Sequence, residues 1–278
     1  MGVVNVTPDS FSDGGRWLDA PDAIQHGVDL VAQGADLVDI GGESTRPGAT
    51  RIDGDEELRR VIPVIRGLVA EGITVSVDTM RASTARQAID AGALLVNDVS
   101  GGRSDPDMMA IAARAGTPIV LMHWREHSAA MQNHTHYDDL VEDITRELTV
   151  QVDAAVGAGV DPGQIILDPG LGFSKTGEQN WTVLAHLETF VGLGHRLLVA
   201  ASRKRFLGEL LAGTSPDGEE QLRPPDRRED ATAAITTIAA AAGAWCVRVH
   251  EPSASADAVR VVARLERELT PQVWKEAE

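Results

Sequence analysis

The stretch from Val3 to Gly15 reads V-V-N-V-T-P-D-S-F-S-D-G-G and contains the strand-then-loop unit on which the fold rests. Its apolar, β-branched start is typical of a buried strand, which ends on a single amide, Asn5. Turn-forming residues and paired glycines follow, with Phe11 among polar neighbours. Phe11 therefore either folds back over the rim of the fold or belongs to a mobile loop that covers a site.

The same unit recurs along the chain. Helical stretches separate the apolar runs, which are almost continuously apolar, as strands buried on both faces require. The eight runs cover residues 2–6, 36–40, 73–77, 93–96, 118–122, 164–167, 197–200 and 245–249. Eight such units in 278 residues predict one α/β domain over 1–278, a (β/α)8 TIM barrel with extended βα loops.

The helical segments carry their own signals. Pro63 lies within an apolar helical pattern, so that helix either begins near it or kinks there. Apolar residues every four positions predict another helix from Leu140 to Val152. Between Arg203 and Ala231, a Gly-, Pro- and charge-rich insert at 213–230 separates two helical pieces and is predicted to be an exposed loop. The last helix is predicted to follow an N-cap at Ser253 and to bury four residues: Val259, Val262, Leu265 and Leu269.

Composition excludes several classes of protein. A net charge of −17 opposes non-specific binding to nucleic acid or to an anionic membrane surface. No run of 18 apolar residues occurs, and the one cysteine, Cys246, lies in an apolar run. We therefore expect a soluble, cytoplasmic protein in which Cys246 fills the core rather than acting as a nucleophile.

Polar residues stand where the predicted strands end, which is where barrel active sites form. Asp78, Asn97 and Asp168 each could cap a helix, but three of them at one barrel mouth favour a flat, hydrogen-bonding heterocycle. Phe173 could stack on its face. Basic residues follow the last two strands, where such barrels frequently hold phosphate. They are Arg203, Lys204, Arg248 and His250, and Arg46 could join them.

One segment also matches a zinc-binding motif. Residues His123 to His127 match the H-x-x-E-H pattern of a zinc peptidase class. That chemistry needs both histidines on one helical face, whereas His123 closes an apolar strand, so we do not expect zinc there.

The motifs together resemble the dihydropteroate synthase family over essentially the whole chain. They are N-V-T-P-D-S-F-S-D-G-G, G-G-E-S-T-R-P-G, D-T-M, N-D-V-S-G, M-H-W, D-P-G-L-G-F-x-K, S-R-K-R-F and R-V-H. The resemblance implies condensation of hydroxymethyl-dihydropterin pyrophosphate with p-aminobenzoate to give dihydropteroate, in a barrel that is usually a homodimer and uses Mg²⁺. One departure is Glu251, where the family usually has Asp.

The resemblance also implies roles for individual residues. The pterin site comprises Asp78, Asn97, Met122, Asp168, Phe173 and Lys204, among which Asp78, Asp168 and Lys204 are catalytic. The pyrophosphate site comprises Asn5, Thr45, Arg248 and His250. The p-aminobenzoate site comprises Phe11, Thr45, Arg46, Pro47, Ser202 and Arg203. Asn5 is the implied Mg²⁺ ligand, with Asp13 as a second candidate.

Two other functions remain open from the sequence. A methyltetrahydrofolate-binding methyltransferase barrel would share the fold and the acids, but it would not need the cationic set. A catalytically silent paralogue would be expected to lose part of the first loop or of S-R-K-R-F, and both are whole.

Overall fold

The computed structural model describes residues 1–7, 19–44, 49, 51–127, 133–214 and 217–269. Eight parallel strands follow one another in sheet order, and a bridge between Gly2 and Val249 joins the last to the first. The strands are β1 (Gly2–Asn5), β2 (Val38–Gly41), β3 (Val75–Asp78), β4 (Leu95–Asp98), β5 (Ile119–Met122), β6 (Ile165–Asp168), β7 (Arg196–Val199) and β10 (Cys246–Val247). The predicted (β/α)8 barrel is confirmed.

Helices connect the strands around the outside of this barrel, as right-handed βα units require. They are α1 (Ala20–Ala32), α2 (Gly54–Ala70), α3 (Ala82–Asp90), α4 (Met108–Ala115), α5 (Leu140–Gly157), α6 (Gly177–Ala185), α7 (Leu187–Val191), α8 (Arg205–Leu210), α9 (Glu229–Ala241) and α10 (Pro252–Leu269). The insert after α8 is exposed, as predicted, and also contains an antiparallel hairpin of β8 (Gly213–Thr214) and β9 (Glu220–Gln221).

Local signals explain features of two long helices. Pro63 lies well inside α2, whose start is set instead by Asp53, since the Asp53 side chain accepts a hydrogen bond from the Glu56 amide. In α5, Ile144 and Leu148 are fully buried, so the apolar residues spaced four apart predicted the buried face of the helix correctly.

The prediction for α10 was wrong in two respects. The helix already includes Ser253, which is therefore not its N-cap. Only one member of the predicted stripe, Val262, is buried, while three remain exposed: Val259, Leu265 and Leu269. The inner face is instead marked by Ser255, whose hydroxyl lies 3.0 Å from that of Thr236 on α9. Periodicity identifies an apolar stripe, but it does not reveal whether a neighbour covers it.

Two apolar layers form because successive strand residues point to opposite faces. One face packs against the helices, and the other fills the barrel interior. The interior cluster contains Met1, Leu95, Val120, Ile166, Leu198, Ala200 and Cys246. Cys246 is buried there, as expected for a residue that fills the core.

Candidate functional site

A polar layer lies two residues above the apolar interior layer on the same strands. Asn97 follows Leu95 on β4, and Asp168 follows Ile166 on β6. Because the side-chain period of a strand is two, these polar residues point into the barrel at its carboxyl end. The layer contains Asn5, Asp78, Asn97, Met122, Asp168 and Arg248.

Strand register brings these residues side by side. Asp78 pairs with Asn97, and Met122 pairs with Asp168. On the other side, Asn5 and Asp78 are both in register with Gly41. The predicted convergence on one barrel mouth is therefore present in the structure.

None of the three predicted amide and carboxylate side chains caps a helix. The helices α3, α4 and α6 begin after Arg81, Asp107 and Thr176 respectively. Asp78, Asn97 and Asp168 are instead almost fully buried, and the Asp168 carboxylate accepts a hydrogen bond from the Gly170 amide at 2.7 Å. The helix-capping interpretation is therefore wrong for all three.

Arg248 reaches across the mouth to the acidic side. Its Nη2 donates to Asp78 Oδ2 at 2.8 Å, and its Nε donates to Asp39 Oδ2 at 2.7 Å. Asp39 is fully buried and also accepts a hydrogen bond from Asn97 Nδ2 at 2.8 Å. Sequence reasoning missed Asp39; the signal that could have found it is an acid inside a run of apolar strand residues.

An apolar wall stands beside these charges. Phe173 packs against the cluster of Met80, Val99, Met122 and Trp124. Lys204 Nζ lies 4.9 Å from the centre of the Phe173 ring and donates a hydrogen bond to the Leu171 carbonyl oxygen. A half-buried cation, a carboxylate and an aromatic ring around one cleft suit a flat, polar heterocycle.

The last two strands end in a second polar group. Ser202 Oγ lies 2.9 Å from His250 Nδ1 and accepts a hydrogen bond from the His250 amide at 3.2 Å. Arg203, by contrast, forms ion pairs with Glu229 and with Glu251, the latter at 3.1 Å. Its guanidinium is thus directed to residues on or beside the outer helices.

Burial is the main cause of the shifted pKa values of three charged groups at the barrel mouth. Burial raises the pKa of Asp78 to about 7, which Arg248 opposes and Asp39 reinforces. Burial also raises the pKa of Asp168, although Lys204 and the Gly170 amide oppose that shift. Burial lowers the pKa of Lys204 to about 8, even though Asp168 favours its charge. Such perturbed groups in one cleft are typical of a functional site.

The zinc interpretation does not fit the structure. His123 and His127 are not part of a helix, and His123 is fully buried. Its Nε2 lies 2.9 Å from Glu147 Oε2, and its Nδ1 lies 3.0 Å from Lys175 Nζ. Across the described residues, no group of three or more His, Cys, Asp or Glu side chains could hold a metal ion.

Five predicted site residues lie outside the described residues, and their predicted roles stay predictions: Phe11, Asp13, Thr45, Arg46 and Pro47. Sequence reasoning also missed Lys175, a fully buried cation in the segment after β6 that donates to the Gly170 and Phe173 carbonyl oxygens. Its place in the D-P-G-L-G-F-S-K motif was the available signal.

Comparison with known proteins agrees with this geometry. A family of pterin-binding enzymes matches residues 1–250. A dihydropteroate synthase of Mycobacterium leprae (strain TN) is 56% identical over 263 residues, which are 94% of this chain and 91% of the relative. No described helix is both long and apolar enough to span a membrane.

Solved structures give the same result. A Yersinia pestis dihydropteroate synthase in a sulfonamide drug complex has a TM-score of 0.89 at 39% identity, covering 96% of this chain and 94% of that one. A Xanthomonas albilineans dihydropteroate synthase with 4-aminobenzoic acid has a TM-score of 0.85 at 43% identity, covering 96% and 92%.

Proposed function

The chain belongs to the dihydropteroate synthase family of pterin-binding enzymes, which are transferases, and from this membership we propose that it condenses 6-hydroxymethyl-7,8-dihydropterin pyrophosphate with p-aminobenzoate. The products are 7,8-dihydropteroate and pyrophosphate. The observation that carries the proposal is the buried group of Asp78, Asn97 and Asp168 at the barrel mouth, in which Asp78 is paired with Arg248.

Asp78, Asn97 and Asp168 hold the pterin in this proposal. A carboxylate accepts paired N–H bonds from an amidine-like ring edge, and an amide can donate and accept at once. Phe173 and Met122 belong to one apolar cluster beside them, which suits the ring faces. Lys204 adds a positive charge near Asp168 and beside the Phe173 ring.

The pyrophosphate leaves from the cationic side of the mouth. Arg248 and His250, with Thr45 from the second loop, bind the leaving oxygens and stabilise the charge that develops on them. Arg248 would exchange part of its pairing with Asp78 for the phosphate. The departing bond leaves positive charge on the pterin methylene carbon, which the carboxylates of Asp78 and Asp168 favour.

Mg²⁺ is proposed as a partner of the pyrophosphate rather than as an ion held by the protein alone. Asn5 offers one amide oxygen next to Gly41, where the missing side chain leaves room between Asn5 and Asp78. Mg²⁺ usually binds through few protein oxygens and keeps waters and substrate phosphates, so this donor fits. When bound, the ion would neutralise charge on the leaving group. Asp13 is a second candidate ligand.

The amine of p-aminobenzoate then attacks the electron-poor methylene carbon. Its nitrogen loses a proton after the C–N bond forms, so the reaction needs no strong general base, and none is proposed. The proposed p-aminobenzoate residues are Ser202, Phe11, Thr45, Arg46 and Pro47. Arg203 could join them only by leaving its ion pairs with Glu229 and Glu251. Closure of the first two loops would exclude water that could capture the cationic carbon.

A turnover assay tests the proposed function. The full chain is incubated with the pterin pyrophosphate and p-aminobenzoate, with and without Mg²⁺, and dihydropteroate is measured. Product that depends on Mg²⁺ supports the proposal. Absence of dihydropteroate under both conditions would reject it and favour a silent paralogue.

The division of roles has its own test. Phe11→Ala is expected to raise KM for p-aminobenzoate about fivefold with little effect on the pterin substrate, because an aromatic contact contributes about 1 kcal/mol. Lys204→Ala should have the opposite selectivity. Equal effects of both variants on both substrates would contradict the assignment.

A homodimer is also proposed, supported by an apolar stripe on α10. Val261, Leu265 and Leu269 lie four residues apart and are 57%, 59% and 81% exposed. Ile238 on the adjacent α9 is 55% exposed. Sedimentation of Leu265→Asp should show a shift from dimer to monomer, whereas an unchanged dimer would locate the interface elsewhere. A cytoplasmic location remains a prediction.

A further inference from the structure

One buried carboxylate in the barrel has no role in the reaction proposed above. Asp39 lies on β2 in register with Val3 and Ser76, one layer below the polar mouth. Its side chain is fully buried. Acids are rarely buried completely unless a partner compensates the loss of hydration, so its contacts need an explanation.

Both partners of Asp39 belong to the candidate site. Oδ2 accepts hydrogen bonds from Asn97 Nδ2 at 2.8 Å and from Arg248 Nε at 2.7 Å. Asp39 therefore joins a residue proposed for the pterin to a residue proposed for the pyrophosphate. Both of these hydrogen bonds are to protein side chains, so Asp39 would influence bound ligands through Asn97 and Arg248.

The contact with Asn97 fixes the orientation of the amide. An ionised carboxylate can only accept hydrogen bonds, so Asn97 must present its NH₂ group to Asp39. The amide oxygen of Asn97 is then the atom that can accept a hydrogen bond from a pterin N–H. With a neutral partner that both donates and accepts, the amide could rotate by half a turn and lose this selectivity.

The contact with Arg248 fixes the guanidinium. Nε is held by Asp39 while Nη2 contacts Asp78 at 2.8 Å, so the planar fork spans two carboxylates. Although burial opposes its charge, Asp39 and Asp78 hold the pKa of Arg248 above the ordinary value. If a pterin takes over Asp78, the bond to Asp39 still anchors Arg248 by Nε and leaves its outer nitrogens for phosphate.

The other oxygen of Asp39 argues against a purely structural role. Oδ1 is buried, and within the described part of the chain it has no hydrogen-bond partner. An unsatisfied buried acceptor costs stability, so a group selected for folding alone would be expected to have both oxygens satisfied.

We propose that Asp39 is a positioning residue that orients the Asn97 amide and anchors the Arg248 guanidinium, and so couples the pterin and pyrophosphate halves of the site. The inference rests on the proposed function for the identity of those two ligands. It goes further by assigning a role to a residue that touches neither.

Asp39→Asn is the test variant, because it keeps the shape and removes the charge. Its matched control is Ser76→Ala, which removes a fully buried hydroxyl at the paired register position that has no hydrogen-bond partner within the described residues. Calorimetry measures the binding of 6-hydroxymethyl-7,8-dihydropterin and of pyrophosphate with Mg²⁺. We expect Asp39→Asn to weaken each about tenfold or more, since hydrogen bonds to charged groups are involved. The KM for p-aminobenzoate should stay within about twofold of wild type, and Ser76→Ala should match wild type throughout.

A second readout separates positioning from general damage. Loss of folded protein would lower kcat in proportion to the active fraction and leave dissociation constants unchanged. Removal of the Asp39 charge should instead lower the pKa of Asp78, which Arg248, Asp39, Glu57 and Asp98 all influence. The acidic limb of pterin binding should therefore move to lower pH in Asp39→Asn. If that variant does not fold, Asp39→Ser is used in the same measurements.

The outcomes distinguish this inference from the proposed function. If wild type binds neither ligand, the proposed function fails, and a crystal structure of Asp39→Asn then decides the inference alone. Displacement or rotation of Asn97 and Arg248 would support it. The inference would be overturned if both side chains kept their positions in Asp39→Asn, or if this variant bound the ligands as well as Ser76→Ala does.

Discussion

Two layers of the barrel interior are built on the same strands and differ in polarity. The lower layer contains Ile166 and Cys246 and is mostly apolar, with Asp39 as a charged member. The upper layer begins two residues further along, with Asp168 on β6 and Arg248 beyond β10, and it is charged. A separation of two residues along a strand thus divides residues that stabilise the barrel from residues that we expect to bind substrate.

This difference explains why the same strands can serve both purposes. The lower layer removes apolar surface from water, which stabilises the fold. The upper layer places charges in a poorly solvated cleft, which costs stability but strengthens interactions with a charged ligand. Substitutions in the two layers should therefore separate activity from stability.

The largest effect is expected in the upper layer. Lys204→Ala should lower kcat/KM for the pterin pyrophosphate about a hundredfold, because the positive charge near the buried Asp168 carboxylate is removed. Arg205→Ala is the matched control, since the Arg205 side chain is 80% exposed. Steady-state kinetics with p-aminobenzoate in excess gives both values. A loss of less than about threefold would contradict the assignment of Lys204 to the site.

The lower layer should show the opposite pattern. Ile166→Ala should reduce the free energy of unfolding by about 2–5 kcal/mol, because Ile166 is fully buried and its truncation leaves a cavity. Denaturant titration measures the change, and Val150→Ala, at a 63% exposed position, is the control. Turnover by the folded variant should stay close to wild type. A large drop in kcat without destabilisation would erase the distinction between the layers.

The titration of the upper layer gives a smaller effect. Asp78 must be ionised to accept two pterin N–H bonds, and its pKa of about 7 means that it is protonated at lower pH. Affinity for 6-hydroxymethyl-7,8-dihydropterin should therefore fall as pH decreases below about 7, approaching about tenfold per pH unit. This ligand has no pyrophosphate, so titration of the leaving group does not interfere.

Calorimetry between pH 5.5 and about 7.5 measures this dependence. Asp78→Asn should bind weakly at every pH, with the acidic limb removed. A flat profile in wild type would show that Asp78 does not bind the pterin as an ionised group.

The smallest effect is expected from Cys246 in the lower layer. Cys246→Ala should cost about 1 kcal/mol of stability and leave kcat unchanged, because the thiol is buried among apolar side chains. Burial also raises the pKa of this thiol, which disfavours the reactive thiolate. A severe loss of turnover in this folded variant would instead identify Cys246 as a nucleophile.

The sequence alone determined the barrel and the type of chemistry. Eight apolar runs at regular spacing predicted the strands, and Asp78, Asn97 and Asp168 were found because each ends such a run. These signals are local: side-chain period, capping residues and turn residues can be read from neighbours in the chain. The family resemblance, carried by the same motifs, is confirmed by the comparisons.

Only the tertiary structure decided which groups meet. Arg248 contacts Asp39 and Asp78, which lie 209 and 170 residues away in the chain. Likewise, the exposure of Leu265 on α10 depends on which side of that helix packs against α9, and the partners of Arg203 depend on the packing of the outer helices. Closure of the barrel creates these contacts between distant residues, and no periodicity within a single element encodes them.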